Sequence, residues 1–231
     1  MDLLQMKVEA ARMALEYVVD DIVLGIGTGS TVEEFIHLLG EKVSRGLRIK
    51  GVATSKRTES LCHHLRIPLV SMDDIYCIDL TIDGVDEVDS ELRLIKGRGG
   101  ALLREKIVAS VSKKMIVIAD ESKVVDFLGK VPLPIEIDPF GVKATSFLIS
   151  DVFLRLGLHG HLKLRNNGDH VFITDGGHYI VDAFLNCIPD VELLSNELHA
   201  IPGVIDHGLF IGMTQLAIIG KASGGLLMEP H

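Results

Sequence analysis

The sequence contains no tryptophan, only three cysteines and few aromatic residues, which make up 5% of the chain. The cysteines (Cys62, Cys77 and Cys187) are odd in number, and none belongs to a CxxC pair. Disulfide frameworks and structural zinc sites need paired or closely spaced cysteines, so the sequence predicts neither. We expect a protein of a reducing compartment.

Basic residues and long apolar runs are also scarce. Lys and Arg number 23 against 32 Asp and Glu, which gives a net charge of −9 at pH 7. A nucleic-acid surface requires clustered Lys and Arg, so we expect no nucleic-acid partner. The longest uncharged stretch, 207–220, is shorter than the roughly 18 apolar residues of a spanning helix. Asp2, Lys7 and Glu9 interrupt the first segment, unlike a signal peptide, so we expect no membrane association and a cytoplasmic location.

What is present is the composition of a globular protein, 47% hydrophobic and 24% charged. Short β-branched runs alternate with helix-length segments through the first half. The predicted strands are 22–26, 48–53, 76–82, 92–95 and 114–119, and the predicted helices are 31–44, 56–65 and 101–112. This alternation predicts an α/β fold with a mostly parallel sheet flanked by helices.

The pattern changes near Gly129. Segment 130–139 alternates apolar and polar residues with prolines, which predicts an edge strand, and a helix is predicted over 142–156. Turn signals at 167–168 and 176–177 separate the runs 162–164, 171–174 and 179–181, which predicts an antiparallel meander before a helix over 191–200. We expect 204–211 and 216–219 to return to the first sheet. The predicted division is residues 1–129 plus 204–231 as one domain and 130–203 as a smaller α+β domain.

A glycine-rich turn, Gly25-Ile-Gly-Thr-Gly-Ser-Thr31, follows the first strand. Such a turn directs backbone N–H groups and the positive end of a helix dipole at one point, which favours an anion. Ser30 stands where a dinucleotide fingerprint needs Gly or Ala, and where a P-loop needs a Lys before its terminal Ser or Thr. The hydroxyls of Thr28, Ser30 and Thr31 suit a small phosphate monoester. The alternative is a tight βα turn with Ser30 as N-cap.

Charged residues stand at three more predicted strand ends. Asp83 and Asp86 follow one strand and would share the ligand-binding edge of the sheet, although the motif alone slightly favours an Asp-Gly turn with solvated carboxylates. Lys96 ends another strand, and Glu105 lies early in the following helix, either as a general base or as an acid that stabilises the helix N-terminus. Lys123 adds a second cation at this edge.

In order and spacing, these motifs closely resemble type A ribose-5-phosphate isomerases. The matching segments are 25–31, 83–87, 95–106, 119–123, 132–136, 200–204 and 208–210, so the resemblance covers nearly the whole chain. It implies a Rossmann-like domain with a smaller inserted α+β (ferredoxin-like) domain, a homodimer or homotetramer, and no metal or nucleotide cofactor. It also implies interconversion of D-ribose 5-phosphate and D-ribulose 5-phosphate in the non-oxidative pentose phosphate pathway.

The resemblance also implies roles for individual residues. Glu105 would be the general base of an enediolate mechanism, Lys96 would balance charge on the sugar oxygens, and Asp83 and Asp86 would hold sugar hydroxyls. The implied substrate-binding residues are Thr28, Gly29, Ser30, Thr31, Asp83, Gly84, Val85, Asp86, Lys96, Gly97, Arg98, Gly99 and Lys123. We expect Lys7, from the first helix, to add positive charge.

One position departs from the family pattern. Arg98 stands where the family often has glycine, so it is either strained at positive φ or exposed, where it faces solvent or attracts an anionic substrate. Two other functions stay open: a related sugar-phosphate isomerase or amino-sugar-phosphate deaminase, and a non-catalytic phosphosugar-sensing domain.

Overall fold

A computed structural model describes residues 2–229. The helices are α1 (Leu3–Leu15), α2 (Ser30–Ser44), α3 (Lys56–His64), α4 (Leu102–Ser110), α5 (Val142–Arg155) and α6 (Val191–His199), with 3₁₀ turns at Met72–Asp74 and Glu121–Lys123. The strands are β1 (Ile22–Ile26), β2 (Ile49–Ala53), β3 (Leu80–Gly84), β4 (Glu87–Val88), β5 (Leu94–Ile95), β6 (Met115–Asp120), β7 (Leu133–Ile137), β8 (His161–Leu164), β9 (Asn166–Asn167), β10 (His170–Val171), β11 (Tyr179–Phe184), β12 (Val204–His207), β13 (Leu209–Phe210), β14 (Leu216–Lys221) and β15 (Gly224–Met228).

The large sheet has the strand order β15-β14-β6-β3-β1-β2. Its pairs are parallel except for β15, which lies antiparallel to β14 at one edge. Strands β3 and β6 are buried along their whole length, as strands covered by helices on both faces are. Helix α1 packs closely on α2 and the sheet because Ala10, Ala11 and Ala14 are fully buried and small. The predicted α/β class with a mostly parallel sheet is confirmed.

The smaller sheet is antiparallel and has the order β12-β7-β11-β8. With α5 and α6 it forms the β-α-β-β-α-β arrangement of ferredoxin-like units. The prediction that 130–139 forms an edge strand is wrong, because β7 lies between β12 and β11. Proline is tolerated at position 134 because the pairing of β7 with β12 ends at Ile135, so the sheet requires no N–H from Pro134 on that side. The carbonyl of Pro134 still accepts a hydrogen bond from Gly208 N.

Two other predictions fail because strand pairing is decided by distant residues. Strand β12 pairs with β7 and β13 pairs with β5, so only β14 of segment 204–219 returns to the large sheet. Strand β8 pairs directly with β11, while β10 forms a separate hairpin with β9 around Gly168. The division of the chain into one domain around the large sheet and a second around the smaller sheet stays a prediction. Within residues 2–229, no helix is both long and apolar enough to cross a membrane.

Candidate active site

The site lies where β1 and β3 meet at their carboxyl ends. The order β2-β1-β3-β6-β14 places the topological switch of the sheet between these two strands, which is where doubly wound folds bind ligands. The loops that follow them are joined tightly: Gly27 N donates to Ile82 O at 2.9 Å, and Thr28 N donates to Asp83 Oδ1 at 3.1 Å. A Cβ on Gly27 would lie 2.0 Å from Asp83 Oδ1, so this turn requires glycine.

A cavity of roughly 470 Å³ opens at this point. It gathers side chains and backbone from all four sequence motifs. Its lining residues are Leu3, Lys7, Thr28, Gly29, Ser30, Thr31, Arg57, Gly84, Val85, Asp86, Lys96, Gly97, Arg98, Gly99, Glu105, Asp120, Ser122 and Lys123. A larger cavity, of roughly 590 Å³, lies beside Val52 and Ile107 and contains none of the predicted site residues. The chemistry therefore points to the smaller cavity.

At the floor of the cavity, one buried ammonium lies between two buried carboxylates. Lys96 Nζ is 3.1 Å from Asp83 Oδ2 and 3.2 Å from Glu105 Oε1, and it also donates to the carbonyl oxygen of Gly84. The three charged side chains are exposed by 4% or less. Such charges are retained in a protein interior only when they are paired, and here one cation serves two anions.

This arrangement perturbs two pKa values. Burial, followed by the charge of Asp83, raises the pKa of Glu105 to about 8, and the opposing attraction of Lys96 is not enough to cancel them. Burial alone would lower the pKa of Lys96, but the charges of Asp83, Glu105 and Asp86 outweigh it and raise that pKa. Lys96 therefore stays charged, while Glu105 can gain and lose a proton near neutral pH.

Glu105 is positioned by the first turn of α4 and is among the residues that line the cavity. Its Oε1 is bound by Lys96, whereas its Oε2 is buried and has no hydrogen-bond partner within residues 2–229. An unpartnered buried carboxylate oxygen beside a cavity is a strong proton acceptor. The remaining predicted acid on the cavity wall, Asp86, accepts a hydrogen bond from Arg98 N at 2.9 Å through Oδ2.

The two predicted aspartates differ in position. Asp86 lines the cavity, but Asp83 lies behind it with no exposed surface, and its Oδ1 accepts from the backbone N–H groups of Thr28 and Gly84. Asp83 therefore holds both the glycine-rich turn after β1, through Thr28 N, and the ammonium group of Lys96. The sequence motif alone treats the two carboxylates as equivalent, because both follow the predicted strand 76–82, whereas in the structure Asp83 lies within β3 and only Asp86 follows it.

A second group of cavity-lining residues can bind an anion. Helix α2 begins at Ser30 with Gly29 as N-cap, and no side chain caps it, so its first N–H groups are free to face the cavity. Lys7 Nζ donates to Ser30 Oγ at 2.9 Å, which places a cation beside the helix terminus. Lys123 joins it from the 3₁₀ turn after β6.

Thr28 contributes differently from its neighbours. Its Oγ1 lies 2.8 Å from Thr54 Oγ1, 2.8 Å from Ser55 Oγ and 3.2 Å from Thr58 Oγ1. These contacts engage its hydroxyl with the protein, so of the three hydroxyls in the loop only those of Ser30 and Thr31 suit the predicted phosphate contact. The Thr28 side chain anchors the loop to the segment after β2.

Arg98 is not strained. Gly97 and Gly100 have φ of +103° and +78°, whereas Arg98 is not among the residues with positive φ, and it is exposed. The substitution of arginine for the common family glycine therefore costs no backbone strain, and the guanidinium adds positive charge to the cavity rim.

Sequence reasoning missed Arg57, which lines the cavity and forms a 2.6 Å ion pair with Glu33. It follows β2 at the same sheet edge, so the strand-end rule used for the other motifs would have found it. A group of potential metal ligands within residues 2–229 is formed by His199, Asp206 and His207, none of which lines the cavity. Lys106 Nζ lies 2.5 Å from Asp206 Oδ1 and would compete with any cation there.

Comparison with known proteins agrees with the sugar-phosphate site predicted for the cavity residues. The family model for ribose 5-phosphate isomerase A (phosphoriboisomerase A) matches residues 50–224. The chain belongs to the ribose-5-phosphate isomerase A family. The ribose-5-phosphate isomerase A of Agrobacterium fabrum is 58% identical over 229 residues, which is 99% of each chain, and that of Rhizobium meliloti is 60% identical over 224 residues, or 97% of each.

Solved structures of family members share the whole architecture. A D-ribose-5-phosphate isomerase in complex with phospho-erythronic acid has 42% identity and a TM-score of 0.92, covering 99% of this chain and 100% of that one. The ribose 5-phosphate isomerase from Plasmodium falciparum has 38% identity and a TM-score of 0.92, covering 98% of this chain and 99% of that one. The chain is therefore an aldose-ketose isomerase by family, and the ordered set of sequence motifs identified that family correctly.

Proposed function

We propose that this isomerase interconverts D-ribose 5-phosphate and D-ribulose 5-phosphate with Glu105 as the base. The observation that carries the proposal is the buried Lys96–Glu105 pair at 3.2 Å, with Glu105 Oε2 left unpartnered beside the cavity. Family membership supports the reaction, and this geometry supports the assignment of the base.

The reaction moves a carbonyl group from C1 to C2 of the open-chain sugar. Glu105 Oε2 takes the proton from C2, and the electrons of that C–H bond form a C1=C2 double bond while the carbonyl electrons move to O1. One proton passes from O2 to O1. Glu105 then returns its proton to C1 as the C2 carbonyl forms, so that atoms and electrons balance and the base is regenerated.

Lys96 is the group that stabilises the enediolate. Its ammonium is buried and held in position by Asp83, so it needs no reorganisation when negative charge develops on the sugar oxygens. Asp86, on the cavity wall, is placed to accept hydrogen bonds from sugar hydroxyls and to relay the proton between O2 and O1. In this assignment Asp83 orients Lys96 and the glycine turn.

The substrate phosphate occupies the other end of the cavity. Free N–H groups at the start of α2, the hydroxyls of Ser30 and Thr31, and the cations Lys7 and Lys123 surround that end. Backbone from Gly84, Val85, Gly97 and Gly99 lines the space between the two ends. The proposal also includes a cytoplasmic location and assembly into a homodimer or homotetramer. Light scattering of the purified protein measures its mass in solution and so tests the assembly.

Turnover of ribose 5-phosphate in D₂O tests the proposed reaction. Proton transfer through a base that exchanges with solvent places deuterium at C1 of ribulose 5-phosphate, which NMR detects. Ribulose 5-phosphate that still lacks solvent deuterium after many reversible turnovers would contradict the enediolate route. A direct hydride shift always retains the original hydrogen, whereas the proton held by Glu105 exchanges with solvent in a fraction of the turnovers. Binding of ribose 5-phosphate without product would favour the phosphosugar-sensing alternative, and ammonia release from amino-sugar phosphates would favour the deaminase.

A further inference from the structure

The loop Lys96–Gly100, called here the glycine loop, carries Lys96 into the site and is held from outside by the smaller sheet. Arg165 follows β8 and its Nη1 donates to Gly97 O at 2.9 Å and to Arg98 O at 3.1 Å. No other side-chain hydrogen bond to these two carbonyls is found within residues 2–229. We propose that Arg165, fixed by Asp182, is a positioning residue that sets the peptide orientation of the glycine loop for catalysis.

Arg165 is itself rigidly held. Its Nε donates to Asp182 Oδ2 at 2.9 Å and its Nη2 donates to Asp182 Oδ1, a bidentate pair in which both side chains are less than 20% exposed. The backbone of Arg165 is also anchored, since its N–H donates to Ile180 O and its carbonyl accepts from Phe172 N. With Asp182 neutralising its charge, the guanidinium acts on the glycine loop through directed hydrogen bonds and not through a net field.

The direction of those bonds has a consequence for the cavity. In a planar trans peptide the C=O and N–H groups point in opposite directions. Because Arg165 draws the carbonyls of Gly97 and Arg98 to its own side, the N–H groups of Arg98 and Gly99 are turned to the opposite side. There Arg98 N donates to Asp86 Oδ2, and Gly99 N has no partner within residues 2–229 and borders the cavity.

Phe172 completes this contact between the smaller sheet and the glycine loop. Its ring lies over Gly100, where an added Cβ would approach Phe172 Cζ to 2.3 Å, and the Arg165 guanidinium lies 5.8 Å from the ring centroid. The glycine loop therefore borders the cavity on one side and packs against Arg165 and Phe172 on the other. Without the two Arg165 bonds, Gly97 O would keep only the backbone bond from Gly100 N at 2.9 Å, inside the same loop, and Arg98 O would lose its side-chain partner. The loop would then hold Asp86 and the Gly99 N–H less firmly, while the residues proposed to bind phosphate are untouched.

Arg165→Lys tests the proposal because it keeps the positive charge opposite Asp182 but cannot supply the planar fork. We expect kcat for ribose 5-phosphate to fall by roughly tenfold to a hundredfold, as small misplacements of a reacting centre do. KM and inhibition by inorganic phosphate should stay within about threefold of wild type, because Ser30, Lys7 and Lys123 are untouched. Arg155→Lys is the matched control: Arg155 also pairs with two acids, Asp151 and Glu197, but is 52% exposed.

A second readout does not depend on turnover. Hydrogen exchange of peptides spanning the glycine loop should be at least fivefold faster in Arg165→Lys, with exchange of the α2 N-terminus unchanged and Tm close to wild type. The kinetic readout rests on the proposed function, whereas the exchange readout does not, so inactivity of the wild type would refute only the function. Unchanged loop exchange, kcat within twofold of wild type, or a kcat loss that vanishes at lower temperature would overturn the positioning role.

Discussion

The pH dependence of kcat/KM tests the assignment of Glu105 quantitatively. Only the ionised carboxylate can accept the C2 proton, and burial together with Asp83 raises its pKa to about 8. Below that pH, kcat/KM should rise about tenfold per unit, and above it the profile should level off. With this pKa, about a tenth of the free enzyme carries ionised Glu105 at pH 7 and about nine tenths at pH 9, so activity should increase roughly tenfold between them.

The identity of the titrating group can be checked by changing its neighbours. The profile is measured with ribose 5-phosphate from pH 7 to 9.5, where the substrate phosphate is mainly the dianion because its second pKa is near 6. Asp83→Asn removes a negative charge beside Glu105, so the inflection should move to lower pH by roughly 1 unit or more, whatever the height of the plateau. A flat wild-type profile, or an inflection that stays fixed in Asp83→Asn, would refute the reasoning.

Three further predictions concern the ends and the walls of the cavity. Lys123→Ala should raise KM for ribose 5-phosphate several-fold with kcat nearly unchanged, and the salt dependence of KM should weaken, since exposed charges are screened; an unchanged KM would remove Lys123 from the phosphate site. Gly27→Ala should abolish activity and lower Tm, because its Cβ would lie 2.0 Å from Asp83 Oδ1; a fully active variant would contradict the required glycine. Arg98→Gly should preserve Tm and kcat, because Arg98 is exposed and lacks positive φ, while KM rises modestly at low salt; a loss of kcat above tenfold would show that the side chain takes part in the chemistry.

The large sheet could be predicted from the sequence because its signals are local. The predicted bounds of β1, 22–26, match the structure, since a fully apolar run ends in a glycine turn, and the predicted helices after β1 and β2 begin within one residue of the observed ones. Local signals failed for β7. Its prolines and alternation are typical of an edge, but its neighbours β11 and β12 come from more than 40 residues away.

The site shows the same division between local and distant information. Spacing and residue type predict Lys96, Glu105 and Asp86 at one site, and all three line the cavity. The rule that carboxyl ends of parallel strands share an edge accounts for the position of Asp86 after β3 but not for Lys96, because β5 pairs antiparallel with β4 and β13 outside the large sheet. Spacing and residue type could not separate Asp83 from Asp86, since that depends on which carboxylate contacts Lys96 in the folded chain. They also could not reveal that Arg165 reaches the glycine loop, because the two are brought together only by packing of the smaller sheet.

Glu105→Gln provides the most direct test of the central claim, that this carboxylate transfers the proton between C1 and C2. Glutamine retains the size of the side chain and an oxygen that can accept from Lys96, but it cannot take up a proton. Turnover of ribose 5-phosphate should fall by at least roughly a thousandfold, which lies within the 10²–10⁴-fold contribution typical of a general base. Calorimetry should show that the substrate still binds with an affinity within a few-fold of wild type. Turnover of Glu105→Gln close to that of wild type would contradict the account.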